Sequence, residues 1–436
     1  MGTRLTKTFK NRMTPKTFRK HLLGLSAALV FFIFAGVTKK LWVSGEGMLS
    51  SSLNRDVLRS VLGKKIISAR SLDSAAGLSI DQEDFQVEYS IDHALQAAAE
   101  KYLKHAQVPY ASAVALDPAT GRVLALVSHG SSTENLALRA TFPAASIFKI
   151  VTAAAAIQDG KLQYDSMIPV LGSYHTLYKR NLFSGGGLEP QTAPRFARLI
   201  SLRDAFGKSV NSVFGKIGLF GVGGTNLRRM AEGFYFGPAI PFELAVDSSS
   251  AVVPDGGFEL AESASGFTRQ NLMSPLHGAL IAATIANQGV MMTPSVIDRV
   301  RDSDSDVVYL HKPQELSQPI SETTADQLAK LMNRTITSGT SRRSFRGLDR
   351  NPMMAGVYIG GKTGTLNGND PPGRYDWFVG FANRDGVRIA IATLCIHGKY
   401  YGVKASTVAR QILESFYEAI VTAEGETKST APSKRS

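Results

Sequence analysis

The sequence predicts an α+β domain in which one sheet is assembled from strands near both ends, with a helical region inserted between them. Residues 111–116 and 122–127 read as two strands joined by Asp117-Pro118-Ala119-Thr120-Gly121, a run of turn-forming residues. Residues 357–362, 377–382 and 387–396 read as three more strands, and the stretch from about 147 to 287 between the two groups reads as helix-rich.

Taken in order, the chain opens on a basic segment, residues 1–21. Arg4, Lys7, Lys10, Arg12, Lys16, Arg19 and Lys20 stand there with no acid among them, and they supply seven of the thirteen excess positive charges. Residues 22–37, LLGLSAALVFFIFAGV, are uncharged and continue through Leu41, Trp42 and Val43. A membrane anchor over 22–43 fits this pattern, with Lys39 and Lys40 snorkelling and Trp42 at the interface. The lysine pair stands where a signal-peptide cleavage site would need small residues, which favours an uncleaved anchor. The basic side then stays cytoplasmic, and everything after it faces outward. This placement of charge marks a membrane flank rather than a nucleic-acid footprint.

Residues 44–86 are polar and weakly patterned and read as a juxtamembrane linker. Asn54 is a candidate cap for a short helix carrying Val57, Leu58, Val61 and Leu62 that stops at Gly63. A denser pattern begins at Val87. Asp92 is the expected N-cap of a helix to about His105 that presents Leu95, Ala98, Ala99 and Leu103 on one face. A closing helix is expected over about 405–423, followed by a polar, disordered tail, 424–436. The main domain is thus 87–423. The single cysteine, Cys395, lies in an apolar run and reads as a buried small hydrophobe, so an internal disulfide is excluded. The eight histidines show no metal-ligand spacing, and no metal or cofactor is expected.

Three short motifs carry chemistry. Ser146-Ile147-Phe148-Lys149 sets a lysine one helical turn from a serine in an apolar setting. A serine hydroxyl needs a base, and a lysine amine serves as one only when burial or nearby positive charge keeps it neutral. Ser209-Val210-Asn211 offers a hydroxyl and an amide to the same cleft. The same pattern at Ser52-Leu53-Asn54 is better explained by helix capping. Lys362-Thr363-Gly364-Thr365 ends a strand-like run. Its lysine and two hydroxyls can hold a carboxylate, and Gly364 admits a close backbone. Residues 356–363 also fit the phosphate-loop pattern G-x-x-x-x-G-K-[ST]. The interior of that stretch reads as strand, and 366–373 cannot start a helix, so nucleotide binding is not expected.

In this chain order, S-x-x-K, S-x-N and K-T-G together resemble the penicillin-binding protein family, of the monofunctional serine D,D-transpeptidase kind. The hairpin at 114–127, Ser201-Leu202-Arg203-Asp204-Ala205, Met273-Ser274-Pro275-Leu276-His277 and Trp377-Phe378-Val379-Gly380-Phe381 are also similar to that family. The resemblance implies the fold shared with serine β-lactamases: a central five-stranded antiparallel sheet flanked by helices, with an all-helical subdomain. It implies that Ser146 attacks the acyl-D-Ala-D-Ala end of peptidoglycan stem peptides, with Lys149 as base. Ser209 would relay a proton with support from Lys362, and Asn211 would hold the peptide. Thr363 and Thr365 would bind the terminal carboxylate, and the N–H groups of Ser146 and Thr365 would form the oxyanion hole. β-Lactams would be covalent inhibitors. The cytoplasmic membrane would be the site of work, and the family leaves room for a glycan polymerase as partner.

Pro143-Ala144-Ala145 departs from the family's usual Pro-Gly turn before the serine. The short 44–86 stretch leaves no room for the pedestal domain that members usually carry, and no polymerase-length region precedes it. A class A β-lactamase would need a deacylating glutamate, and Pro241-Phe242-Glu243-Leu244-Ala245 lacks its frame. Asn211 departs from the S-x-V of class D enzymes and their sensor relatives. No G-x-S-x-G elbow supports an α/β-hydrolase. A carboxypeptidase with the same residues, and a catalytically silent scaffold, stay open at this level.

Overall fold

The computed structural model describes residues 55–66, 75–80, 83–130 and 135–430. At its centre is an antiparallel sheet of β1 (Tyr110–Leu116), β2 (Val123–His129), β3 (Tyr358–Asn369), β4 (Pro372–Arg384) and β5 (Val387–His397). The order across the sheet is β3-β4-β5-β1-β2. The early hairpin and the late meander join where β5 pairs with β1, from Ala390 opposite Leu116 to Ile396 opposite Tyr110. The five expected strands therefore share one sheet, and β3 lies at its edge.

Five helices matter to this sheet: α1 (His93–His105), α2 (Lys149–Gln158), α3 (Pro275–Ala286), α4 (Glu322–Thr337) and α5 (Ala405–Thr430). Successive strand side chains point to opposite faces. Ala111, Ala113, Phe378, Ile389, Ile391 and Cys395 build one core with residues of α1 and α5. On the other face α3 lies close: a Cβ added at Gly278 would stand 3.1 Å from Val379 Cγ2 and 3.3 Å from Ala392 Cβ. Because both faces are covered, the strands are nearly continuous apolar runs, as buried sheets require. The helix α3 is buried on all sides, from Pro275 to Ile285. Asp92 caps α1 as expected, its carboxylate accepting from Leu95 N at 3.0 Å. Cys395 is fully buried, and burial pushes its thiol pKa up.

The helical insertion holds α2 and the helices Leu202–Gly207, Asn211–Lys216, Gly223–Gly233 and Gly257–Ser265. Described residues from Leu58 onward belong to one compact unit.

Four expectations need correction. The described parts of 44–86 are more structured than a linker. A helix spans Arg55–Ile66 and passes through Gly63, its expected stop, while Asn54 lies outside the described residues. Strands Ala75–Ile80 and Glu83–Tyr89 join Ile297–Arg301 and Val307–Leu310 in a second sheet. The expected domain start at Val87 thus falls inside a strand. Phe85, Val87 and Tyr89 are buried there, while Asp84 and Gln86 are exposed. Glu88 pairs with Arg299 at 3.2 Å and with Arg301 at 2.8 Å. Three alternating apolar residues are a weak local signal, and the partner strand lies some two hundred residues away. Next, the strand expected to end at Lys362 continues to Asn369, because β4 pairs with it along its whole length. Finally, α5 runs to Thr430, into the stretch expected to be disordered. The expected anchor at 22–43 lies outside the described residues. Among the described residues, no helix is long and apolar enough to cross a membrane.

Candidate active site

Ser146 sits in a 3₁₀ turn, Ala145–Phe148, that leads into α2 at Lys149. A helix starting at Ser146 was the expectation, and the tighter turn serves better. With three residues per turn, positions i and i+3 eclipse, which places Lys149 directly over the serine. The turn is held from several directions. Ala145 adopts φ +50°. Ala144 N donates to Asn271 O at 2.7 Å, and Trp377 Nε1, fully buried on β4, donates to Pro143 O at 3.0 Å. Gly266, at φ +64°, lies so close that a Cβ there would be 1.9 Å from Ala145 O.

Lys149 is fully buried. Its Nζ lies 2.7 Å from Ser146 Oγ, 2.8 Å from Asn211 Oδ1 and 2.5 Å from Ser265 O. None of these partners is a carboxylate. Burial, and then the charge of Lys362, hold its pKa well below the usual lysine range. A neutral amine has two N–H donors and one lone pair. The two carbonyl oxygens take the two donors, so the lone pair is left facing the Ser146 hydroxyl. Asn211 is fixed in the orientation this needs, since its Nδ2 donates to His175 O at 2.9 Å.

Ser209 follows the helix Leu202–Gly207, which Ser201 caps. At φ +57° it turns the chain sharply into the helix Asn211–Lys216. That turn delivers both residues of the S-x-N motif to one cleft. Lys362, fully buried on β3, donates to Ser209 Oγ at 2.9 Å and to Thr363 O at 2.8 Å. Burial lowers its pKa to about 7. Thr363 Oγ1 lies 2.5 Å from Thr340 Oγ1, and Thr365 Oγ1 donates to Asp376 Oδ1 at 3.4 Å. At Gly364 a Cβ would meet Ala144 O and Ile147 Cγ1, each at 3.2 Å. The close approach this glycine permits is therefore that of β3 to the serine turn.

A cleft of about 590 Å³ opens over these residues. Ser146, Ser209, Asn211, Thr363 and Thr365 line it, and Lys149 and Lys362 lie beneath. The three motifs, spread over more than two hundred residues, thus converge on one serine–lysine pair. Residues 356–363 make no phosphate loop: Lys362 and Thr363 lie within β3, and the chain turns directly into β4. Glu243 is occupied elsewhere, accepting from Ser295 Oγ at 2.9 Å and Val296 N at 3.1 Å. The Ser52–Asn54 pattern lies outside the described residues.

A family model for the penicillin-binding protein transpeptidase domain matches residues 111–414, from the first strand of the sheet into α5. The chain belongs to the penicillin-binding protein transpeptidase family. Among its relatives is the peptidoglycan D,D-transpeptidase PbpA of Mycolicibacterium smegmatis, 29% identical over 325 residues, which are 66% of this chain and 62% of the relative. PbpA of Mycobacterium tuberculosis is 29% identical over 348 residues, 69% of this chain and 66% of the relative. The chain therefore spans just under two thirds of the length of these curated relatives. The solved structure of penicillin-binding protein A from M. tuberculosis as an imipenem acyl-enzyme complex is 27% identical. It covers 76% of this chain and 79% of that one, with a TM-score of 0.61. The D,D-transpeptidase domain of a peptidoglycan glycosyltransferase from Eggerthella lenta, 24% identical over 77% of this chain and 83% of that one, shares the fold with a TM-score of 0.63.

Within this penicillin-binding transpeptidase domain, sequence reasoning missed Ser265, Thr340 and Asp376. Ser265 contributes only a backbone carbonyl, which no side-chain motif reports. Thr340 and Asp376 meet the K-T-G strand through packing and register, neither of which is local in sequence.

Proposed function

We propose that this chain is a membrane-anchored peptidoglycan D,D-transpeptidase that works through a Ser146 acyl-enzyme. The observation that carries the reading is the buried Lys149 amine, without a carboxylate among its hydrogen-bond partners, 2.7 Å from Ser146 Oγ. Ser146 Oγ attacks the carbonyl of the penultimate D-alanine as its proton passes to Lys149. The N–H groups of Ser146 and Thr365 take up the oxyanion. Collapse expels the terminal D-alanine, whose amine receives a proton through Ser209, which Lys362 supports. An amine from a second stem peptide then attacks the ester, releases Ser146 and forms the cross-link. Asn211 and the exposed edge of β3 hold the donor peptide, and Thr363 and Thr365 face its carboxylate. A β-lactam acylates the same serine. The acyl-enzyme complexes of the M. tuberculosis relative with imipenem and penicillin G support that step. The basic residues 1–21 and the apolar 22–43 support an anchor in the cytoplasmic membrane with the catalytic domain outside, where a glycan polymerase would supply the strands.

The test is labelling with a fluorescent penicillin. The wild type becomes covalently labelled, and Ser146→Ala does not. Equal labelling of the two, or none of the wild type, would end the acyl-enzyme reading. A donor stem peptide supplied with and without an amine acceptor then decides the second half. Cross-linked product is expected, and release of D-alanine alone would identify a carboxypeptidase.

Lys362 adds a pH dependence. Below about pH 7 it carries a proton and attracts an anionic ligand, and above that value it loses the proton. In Ser146→Ala, which cannot acylate, the dissociation constant of benzylpenicillin should rise by about tenfold as the pH climbs from 7 toward 9. In the double variant with Lys362→Met this dependence should vanish. A flat profile in the first protein would show that Lys362 does not bind the anion.

A further inference from the structure

We propose that Lys216 is a positioning residue for the acylation of Ser146: it ties down the chain segment, residues 169–185, that holds Asn211 in its working orientation. Asn211 and Lys216 stand at opposite ends of one helix. Lys216 is fully buried, and its Nζ donates to Pro169 O at 3.0 Å and to Gly185 O at 2.6 Å. At the other end of the helix, Asn211 N donates to Tyr174 O at 2.7 Å, and Asn211 Nδ2 donates to His175 O at 2.9 Å. One short helix thus grips the segment at four carbonyl oxygens. Lys216 itself does not line the cleft, whereas His175 and Asn211 do.

The grip matters because an asparagine amide can turn either its oxygen or its nitrogen toward a neighbour, and its other partners decide which. A backbone carbonyl only accepts, so His175 O takes the Nδ2 side of Asn211 and leaves Oδ1 facing Lys149 Nζ at 2.8 Å. His175 has little local support for that task. Residues 171–178 belong to neither helix nor strand, and three glycines in a row, Gly185–Gly187, loosen the far end of the segment. Lys216 fixes the segment on both sides of His175, at Pro169 before it and at Gly185 after it. Arg198 adds a longer tie, donating to Gly172 O at 3.3 Å, and is exposed. An apolar side chain would fill the buried volume at a lower desolvation cost, so the two carbonyls it satisfies account for a lysine here. Burial lowers its pKa to about 8, and the amine in either charge state has an N–H for each carbonyl. With Lys216 removed, both oxygens lose a buried donor, the segment slackens, and Asn211 is free to turn.

The inference rests on the acylation of Ser146, and a double-mutant cycle separates the two. First-order acylation constants of the full chain with benzylpenicillin are measured per labelled site, so that loss of folded protein does not count. Lys216→Met should lower the constant about tenfold when Asn211 is present. In Asn211→Ala the same change should cost less than twofold, because the side chain it acts through is gone. Lys216→Gln keeps two N–H donors, one atom nearer the backbone. It should lose about threefold, and it carries the cycle if the methionine variant fails to fold. If the loss is as large without the Asn211 side chain as with it, or if the folded variants all stay within twofold of the wild type, Lys216 serves only the fold and the proposal falls. If the wild type is not acylated, the acyl-enzyme reading falls, and this one with it.

Discussion

Replacing Lys149 with alanine should slow acylation of Ser146 by a β-lactam about 10³- to 10⁴-fold, with the fold retained. General-base assistance contributes on this scale. Here, among the described residues, Lys149 supplies the one side-chain amine that touches the serine hydroxyl, at 2.7 Å. The cost to stability is small because two effects oppose one another. Removing a fully buried amine relieves its desolvation, whereas Asn211 Oδ1 and Ser265 O each lose a donor. A net change of about 1 kcal/mol either way is expected. Arginine at this position should not restore activity, since a guanidinium cannot lose its proton in a protein. The pH dependence gives an independent reading. Burial and the charge of Lys362 favour the neutral amine, so the rate should rise with pH as Lys149 deprotonates, at a pH well below that of an ordinary lysine. Second-order acylation rates with a chromogenic β-lactam, alongside thermal unfolding, check both parts. A Lys149→Ala variant within tenfold of wild type would remove lysine from the role of base.

The second large effect is expected at a glycine on the wall of the cleft, which has no side chain to offer a substrate. Gly266→Ala should destabilise the protein by about 3 kcal/mol and disable Ser146 together with the fold around it. Two causes add. At φ +64° an alanine costs about 1 kcal/mol relative to glycine. Its Cβ would also lie 1.9 Å from Ala145 O and 3.2 Å from Ser146 N, both backbone atoms of the nucleophile's own turn. A flexible side chain could swing away, but backbone has to move as a whole. Gly347 isolates the first cause: it has φ +76°, and an added Cβ meets nothing within 4 Å. Gly347→Ala should cost about 1 kcal/mol and leave acylation unchanged. Denaturant melts of both variants, with acylation rates, would measure the difference, and equal losses at the two glycines would refute the steric account.

The legible parts of this protein were those with a local cause. Asp92 could be read as a cap because its carboxylate bonds a backbone N–H three residues on. The five sheet strands stood out because burial on both faces demands long apolar runs. The misread parts had distant causes. Strand Glu83–Tyr89 owes its place to Ile297–Arg301, and β3 extends to Asn369 because β4 pairs with it throughout. Gly364 was assigned to substrate, but its open side faces the serine turn, a packing fact that spacing cannot report.

By itself, the sequence determined which groups are available for chemistry: a serine with a lysine three residues on, a second serine with an asparagine, and a lysine with two threonines, in that order. It also placed a basic segment and an uncharged apolar run ahead of them. Only the tertiary structure decided what state those groups are in. Lys149 is an ordinary cation in an exposed chain. Its neutral form is favoured because the fold buries it completely, sets carbonyl oxygens from remote helices against its amine, and places a second buried lysine nearby. Likewise, the register of β3 against β4 turned Thr365 toward Asp376. Residue identity is a property of the chain, but desolvation and hydrogen-bond partnership are set by what the fold packs around each group, and proton affinity follows from them.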